Sequence, residues 1–269
     1  MRFDKGLRFI KGQGTGNDFV LLPDPPEDLS GELVRRLCDR RTGIGGDGVL
    51  AVRRSADAAA YFMDYRNADG SIAETCGNGI RVFARYLVTG GLAQPGTIEI
   101  QTRAGIVQVD VPADGGDITV AMGVPIRLAD AKVTIGQAAW PAFGYDIGNP
   151  HLVVLDAGDL DALDLTHEPA VDPGSAFPDG VNVELLAPAG PRHLRMRVFE
   201  RGVGETDSCG SGACMAAVAA MEAAGERSTY VVDVPGGRLS VTWRDDDVVT
   251  LSGPAILVAS GEVDPQALT

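Results

Sequence analysis

A chain of 269 residues with 45% hydrophobic and 22% charged residues is long enough to bury one large core, or two of roughly 130 residues each, without cross-links. Its composition excludes a disordered or collagen-like chain, and a net charge of −14 with no basic run to offset it argues against nucleic acid or an anionic membrane as partner. In chain order, the opening MRFDKGLRFIKGQG alternates charge with apolar residues and lacks the apolar stretch of a secretory signal, so a cytoplasmic protein is expected. Leu33, Val34 and Leu37 share a face and predict a first helix over Ser30 to Cys38. From Gly79, the residues Ile80, Phe83, Ala84 and Leu87 recur at helical spacing, and Gly90-Gly91 stops the pattern. IEIQT (98–102), IVQVDV (106–111) and ITVAMG (118–123) alternate with period two and read as strands. The Asp- and Pro-rich segment from Asp156 to Pro178 reads as surface loop. LRMRVFE (194–200), YVVDVP (230–235) and LSVTW (239–243) read as strands. Between them, Ala213 to Gly225 is small and apolar on nearly every face, which predicts a helix buried inside its own sheet. Its weakly polar core, ACMAAVAAM, is far short of the ~20 residues that cross a bilayer. The tail from Ser260 to Thr269 reads as a frayed end.

The chain repeats itself at half-length. ETCGNGIRVFARYL (74–87) resembles ETDSCGSGACMAAVAAM (205–221), with Cys209 standing 133 residues after Cys76. The register persists: Gly105 follows Cys76 by 29 residues and Gly237 follows Cys209 by 28. Each is followed by an alternating strand and a glycine, Gly123 and Gly253. Two homologous halves account for this. The expected fold class is α+β: two pseudo-symmetric domains, each a curved mixed or antiparallel β-sheet wrapped around a central helix. The expected bounds are 1–122, joined by 254–269, and 123–253.

Four cysteines in a chain with no export signal are expected to be thiols. Cys38, on a predicted helix face, and Cys214, inside the apolar helix, read as structural. Cys76 and Cys209 each stand immediately before Gly-x-Gly at a predicted helix start. There, unpaired backbone N–H groups and the helix dipole favour negative charge and are expected to depress a thiol from its ordinary value of about 8.5. A lone cysteine beside glycines can equally be a small buried residue, but two in equivalent positions of a duplicated chain point to chemistry. If the two halves face each other, the helix starts open into one cleft and the sulfurs approach a bound molecule from opposite sides. Inversion of a carbon stereocentre needs that arrangement, because one group must remove a proton from one face while another delivers one to the other.

The α-hydrogen of an amino acid is a weaker acid than a thiol by roughly ten units, on the order of 14 kcal/mol. Pyridoxal phosphate would cover that gap through a Schiff-base lysine. Only Lys5, Lys11 and Lys132 are available; Lys5 and Lys132 lie in unremarkable contexts, and Lys11, in KGQGTGND, can be argued either way. The expectation is therefore a reaction without a cofactor or metal, in which the helix-start amides grip the substrate carboxylate.

KGQGTGNDF, NADGSIAETCGNGIR, IGNPH, VNVE and ERGVGETDSCGSGA, in that order and spacing, resemble the diaminopimelate epimerase family over nearly the whole chain. The resemblance implies two similar α/β domains with a cleft between them, and cofactor-independent interconversion of LL- and meso-2,6-diaminopimelate, the step before lysine and a precursor of cross-linked peptidoglycan. It also implies a homodimer. By position, Cys76 and Cys209 match the catalytic thiols, the first usually named donor and the second acceptor, with the roles swapping with direction. Gly77, Asn78, Gly210 and Ser211 match positions that bind the reacting carboxylate and amine. Asn17, Asn67, Asn149, Asn182 and Arg201 match substrate contacts, and Glu200 and His151 match residues that tune the thiols. Neutral amides and a guanidinium suit a substrate charged at both ends, and Glu200 can take an ammonium. Two positions depart from the family pattern: Gly48 stands where many members carry glutamine, and no aromatic residue follows Trp243 near the tail, where relatives often place one against a partner subunit.

Each residue also has a plainer reading. Asn17 and Asn67 in Gly-rich loops can be turn residues, His151 can cap a strand, and Glu200-Arg201 can be a solvated pair. The rival functions are another two-cysteine racemase, such as a proline-type enzyme, and a dithiol redox protein, which the absence of C-x-x-C disfavours. A metal module is disfavoured because His151, His167 and His193 lack ligand spacing. GTGND and GIGGDG lack the Lys-Ser/Thr of a phosphate loop.

Overall fold

The computed structural model describes residues 6–55, 59–74 and 76–268. Lys5, Thr75 and Thr269 lie outside them. Two compact units divide the chain, one holding the described residues through Val120 together with those from Gly253 onward, the other Ala121–Ser252.

The first unit opens with β1 (Leu7–Gly14) and β2 (Asn17–Leu22), an antiparallel hairpin whose two turn residues, Thr15 and Gly16, both have positive φ. α1 (Gly31–Cys38) is capped by Ser30, whose hydroxyl accepts from Leu33 N at 3.2 Å, and it buries Val34, Leu37 and Cys38. β3 (Gly48–Arg54) lies parallel to β2 and antiparallel to β4 (Tyr61–Asn67). α2 (Gly77–Thr89) follows, starting two residues before the predicted Gly79 because Cys76 takes the cap position. β5 (Gly96–Thr102) runs parallel to β4, and β6 (Gly105–Val111) and β7 (Ile118–Gly123) follow antiparallel.

The second unit contains β8 (Ile126–Arg127), β9 (Ala131–Ile135), β10 (Ala138–Asp146), β11 (Pro150–Val154), β12 (Ala170–Asp172), β13 (Asn182–Gly190), β14 (His193–Glu200) and β15 (Gly204–Thr206). After these come α3 (Gly210–Ala224), β16 (Thr229–Val234), β17 (Gly237–Trp243) and β18 (Val249–Gly253). Pairings β10–β11, β13–β14, β16–β17 and β17–β18 are antiparallel, whereas β11–β13 and β14–β16 are parallel. That sequence of pairings reproduces β1–β2, β2–β3, β3–β4, β4–β5, β5–β6 and β6–β7 strand for strand, with α2 and α3 in equivalent places. The duplication read in the sequence is thus present in the topology, and the fold class is α+β with a mixed sheet around one helix in each unit.

Period-two alternation sorts side chains between two cores. In the second unit, Leu152 and Val154 of β11 and Val183 and Leu185 of β13 join a cluster with Leu160, Leu165 and Phe177, while Val153 and Leu186 face α3. α3 is buried nearly all round, as its composition predicts, and ends at Gly225 in the left-handed conformation (φ 67°). In the first unit, Val20, Leu22, Val49 and Ala51 pack with α1.

Two loop expectations are corrected. Asp156 to Pro178 holds β12, paired with β9, and buries Leu160, Leu165 and Phe177. In the tail, β19 (Ile256–Val263) pairs antiparallel with β1 from Leu7 opposite Val263, and Leu268 is buried with its carbonyl accepting from Arg36 Nη1 at 3.0 Å. The polar tail is ordered because β1 offers it a sheet edge to pair with. No helix among the described residues is long and apolar enough to cross a membrane.

Candidate active site

In the first unit, three equivalent strand ends and one helix start carry the polar residues. Asn17 opens β2, Gly48 opens β3 opposite Phe19, and Asn67 closes β4 opposite Gly48. Cys76 is the N-cap of α2 in extended conformation (φ −152°, ψ 118°), and its Sγ accepts from Gly79 N at 3.4 Å. The thiol donates to Asn17 Oδ1 at 3.6 Å, and the same oxygen accepts from Asn78 Nδ2 at 3.5 Å. Asn17 Nδ2 donates to Asp47 Oδ2 at 2.7 Å, so the amide is held with its carbonyl toward the sulfur. Asp47 is gripped in turn by Arg40 Nη2 at 2.9 Å. Sequence reasoning missed Asp47, although it lies in the GIGGDG loop already singled out there.

Gly77 begins α2, and its carbonyl accepts from the fully buried Arg81 Nη1 at 3.0 Å. Asn78 is buried, and its Oδ1 accepts from Thr15 Oγ1 at 3.4 Å. Asn67 donates from Nδ2 to Ser71 Oγ at 3.0 Å, a bond inside its own turn and the plainer role open to it. Lys11 is paired with Asp18 and the Gly45 carbonyl. The absent glutamine at position 48 has a steric reason: a Cβ there would lie 2.5 Å from Arg66 O and 2.7 Å from Tyr65 Cε2.

The second unit repeats this construction with different chemistry. Asn149 precedes β11, Asn182 opens β13 opposite His151, and Glu200 closes β14. Cys209 is the N-cap of α3 in extended conformation (φ −117°, ψ 114°), with Gly210 as first helical residue and Sγ 3.5 Å from Ser211 Oγ. Glu200 accepts from the Thr206 hydroxyl, which removes the solvated-pair reading for its carboxylate. Asn182 Oδ1 accepts from Arg201 N at 2.8 Å, while the Arg201 guanidinium donates to Asp179 O at 3.1 Å and remains exposed. His151 is fully buried, with Nδ1 2.7 Å from Glu184 Oε1 and Nε2 3.1 Å from the Asn149 side-chain amide. Glu184, also fully buried, was not anticipated as a site residue, although it ends the VNVE motif.

The electrostatics overturn one expectation. Cys209 sits at a helix start, yet its thiol is pushed well above the ordinary range, first by burial and then by the carboxylates of Glu200 and Glu184. The Ser211 hydroxyl and Gly212 amide pull the other way and lose. A helix terminus contributes on the order of 1 kcal/mol, whereas burying a thiolate among carboxylates costs several. The Glu200 carboxyl is raised by burial and by Glu184, partly offset by hydrogen bonds from Thr206 and Cys209. Cys38, as its helix-face position predicts, is buried, and burial pushes its thiol up to about 12. Cys214 is fully buried as well.

The second glycine of each Cys-Gly-x-Gly is where the helix meets the strand beneath it. A Cβ on Gly212 would lie 2.5 Å from Glu184 Oε1, and one on Gly79 would lie 3.2 Å from Leu50 Cδ2. Glu184 is tied to His151 and cannot swing aside, whereas a leucine methyl can yield. Gly212→Ala should therefore destabilise its unit by roughly 1–3 kcal/mol and Gly79→Ala by less, a ranking that thermal unfolding of the two variants checks. Equal costs would show that the carboxylate is not pinned.

Comparison with known proteins follows the same outline. A family model for diaminopimelate epimerase matches residues 9–128 and 143–258. The diaminopimelate epimerase of Streptomyces coelicolor is 50% identical over 278 residues, covering 96% of each chain. That of Rhodococcus opacus is 48% identical, covering 96% of this chain and 97% of its own. Among solved structures, a phenazine biosynthesis protein of the PhzF family from Bacillus anthracis aligns with TM-score 0.74 at 19% identity over 96% of this chain and 99% of its own. A hydroxyproline epimerase from Agrobacterium vitis aligns with TM-score 0.70 at 16% identity over 99% and 96%. At those identities the structural likeness speaks for the fold alone.

Proposed function

The chain belongs to the diaminopimelate epimerase family, and from that premise we propose that Cys76 and Cys209 are the acid–base pair of its reaction, the interconversion of LL- and meso-2,6-diaminopimelate. The protein is an isomerase. The observation that carries the assignment is one local construction used twice: a thiol at the N-cap of a helix that opens Gly-x-Gly, at the sheet end where β2, β3 and β4, or β11, β13 and β14, place their polar residues.

Inversion requires a base on one face of the α-carbon and an acid on the other. Burial and the carboxylates of Glu200 and Glu184 favour the neutral thiol at Cys209, so in the direction that starts from this state Cys209 delivers the proton, and Cys76 removes one as the thiolate left when the proton it shares with Asn17 Oδ1 has gone to solvent. The opposite direction exchanges the roles, which accommodates the donor and acceptor names that the family resemblance brings. Amides of the first turns, at Gly77, Asn78, Gly210 and Ser211, take the carboxylate of the reacting centre. Asn17, Asn67, Asn149 and Asn182 supply neutral donors and acceptors, Arg201 a guanidinium for the distal carboxylate, and Glu200 an acceptor for an ammonium. Glu200 and Glu184 set the charge around Cys209, and His151 acts on it through these two carboxylates.

The experiment is a single time course of LL-diaminopimelate with the protein in D₂O. Early meso product should carry deuterium at the inverted carbon while the remaining substrate stays unlabelled, because the incoming proton comes from the second, solvent-exchanged thiol. Product without label would end the two-thiol assignment. A homodimer and a cytoplasmic location belong to the same reading and rest on the family resemblance; sedimentation equilibrium tests the former.

A further inference from the structure

The duplicated units differ at one buried pair beneath the thiol-bearing helix. In the first unit, Phe19 of β2 and Leu50 of β3 are fully buried on the α2 side, and both lie within 3.4 Å of the position a Cβ on Gly79 would take. Register and repeat place His151 of β11 and Glu184 of β13 at the equivalent positions. Leu21 pairs with Leu50 two residues beyond Phe19, and Val153 pairs with Glu184 two residues beyond His151. Gly212 answers to Gly79, each three residues after its cysteine. An apolar pair therefore satisfies the fold at this place, and the second unit has replaced it with an imidazole and a carboxylate.

That replacement is costly. Both side chains are fully buried, and Glu184 Oε2 has no hydrogen-bond partner among the described residues. Buried ionisable pairs are often no more stabilising than apolar residues of similar size, so stability alone does not account for it. Its geometry suits orientation. A carboxylate oxygen 2.7 Å from Nδ1 accepts the proton there, which leaves the Nε2 lone pair to accept from the Asn149 side-chain amide 3.1 Å away, so the NH₂ end of that amide, and not its oxygen, is turned toward the ring. The Glu200 carboxyl, raised by burial, is drawn back down by Thr206, by Cys209 and by His151, so the imidazole and the thiol act on the same carboxylate.

We infer that Glu184 is a positioning residue for the epimerisation, holding His151 through Nδ1 in the tautomer and orientation that set Asn149 and Glu200 around the Cys209 thiol. The inference rests on the function proposed above. The groups facing the pair are Glu200 from the end of β14 and Cys209 from the start of α3, and Glu184 itself presses on the first turn at Gly212.

The test pairs Glu184→Gln, which keeps shape and removes charge, with Glu184→Leu, which copies the first unit and should fold. Imidazole ¹⁵N spectra of the full chain, with the His151 signals assigned by His151→Phe, should show one tautomer protonated at Nδ1 in the wild type and a mixed or reversed one in Glu184→Gln. Both folded variants should lose kcat by on the order of 10- to 100-fold, the usual cost of removing an outer orienting group, with KM nearly unchanged. Unaltered His151 signals in Glu184→Gln, or an unaltered kcat in either folded variant, would overturn the assignment. A wild-type protein that does not epimerise diaminopimelate would instead remove the proposed function, and the nitrogen spectra would still report whether Glu184 holds the tautomer.

Discussion

Cys76→Ala and Cys209→Ala should each lose stereochemical inversion by about 10⁴-fold, the upper range for removing a positioned acid or base, while both remain folded. Cys76 contributes one cap hydrogen bond to Gly79 N at 3.4 Å and Cys209 none from its side chain, so either change should cost on the order of 1 kcal/mol in stability. The diagnostic is partial chemistry. With one thiol left, the protein can still remove and return a proton on a single face, so each variant should exchange the α-hydrogen of one stereoisomer with D₂O and retain its configuration. The two variants should choose opposite isomers. Exchange of the same isomer by both, or near-normal inversion by either, would refute the division of labour between the thiols.

Asp64→Ala should destabilise the first unit by about 3 kcal/mol, the low end for breaking a buried charge network because the arginines can turn toward water. Asp64 on β4 is 3% exposed and receives Arg53 Nε at 3.0 Å, Arg66 Nε at 2.7 Å and Arg103 Nη2. Arg103 also donates to Tyr65 O at 3.0 Å and Ala73 O at 3.1 Å, so the cluster ties the end of β4 to the segment that leads to Cys76. Burial pushes the Asp64 carboxyl up, but the three guanidiniums more than offset it and hold the group at about 2 against an ordinary 3.8. A depressed carboxyl contributes stability above its unfolded value and loses it as pH falls toward the folded one. The contribution of roughly 2 kcal/mol should therefore be complete above pH ~4 and vanish toward pH ~2. Urea unfolding of wild type and variant across that range checks this, and a gap that stays constant with pH would contradict it.

Much of the architecture is legible from neighbours in the chain. Period two marks β5, β6, β14, β16 and β17, helical spacing marks α1 and α2, and the all-apolar composition of α3 tells of its burial. The tail escaped because Ser260 to Val263 owe their strand conformation to β1, some 250 residues away. Asp47 escaped because its partner Asn17 lies 30 residues earlier, and Glu184 because His151 lies 33 residues before it.

The amino-acid order alone determined that the protein is built twice and that each half sets a cysteine before Gly-x-Gly at a helix start. These depend on backbone geometry within a turn or a strand, which a few adjacent residues settle. The tertiary structure alone decided the sign of the environment at Cys209. Helix-start amides act over one turn and are worth on the order of 1 kcal/mol, whereas removal of water and the approach of Glu200 and Glu184 act through folding and are worth several. Charge and solvent around a sulfur are set by whatever the sheet brings beside it, and in the second unit β13 and β14 bring carboxylates.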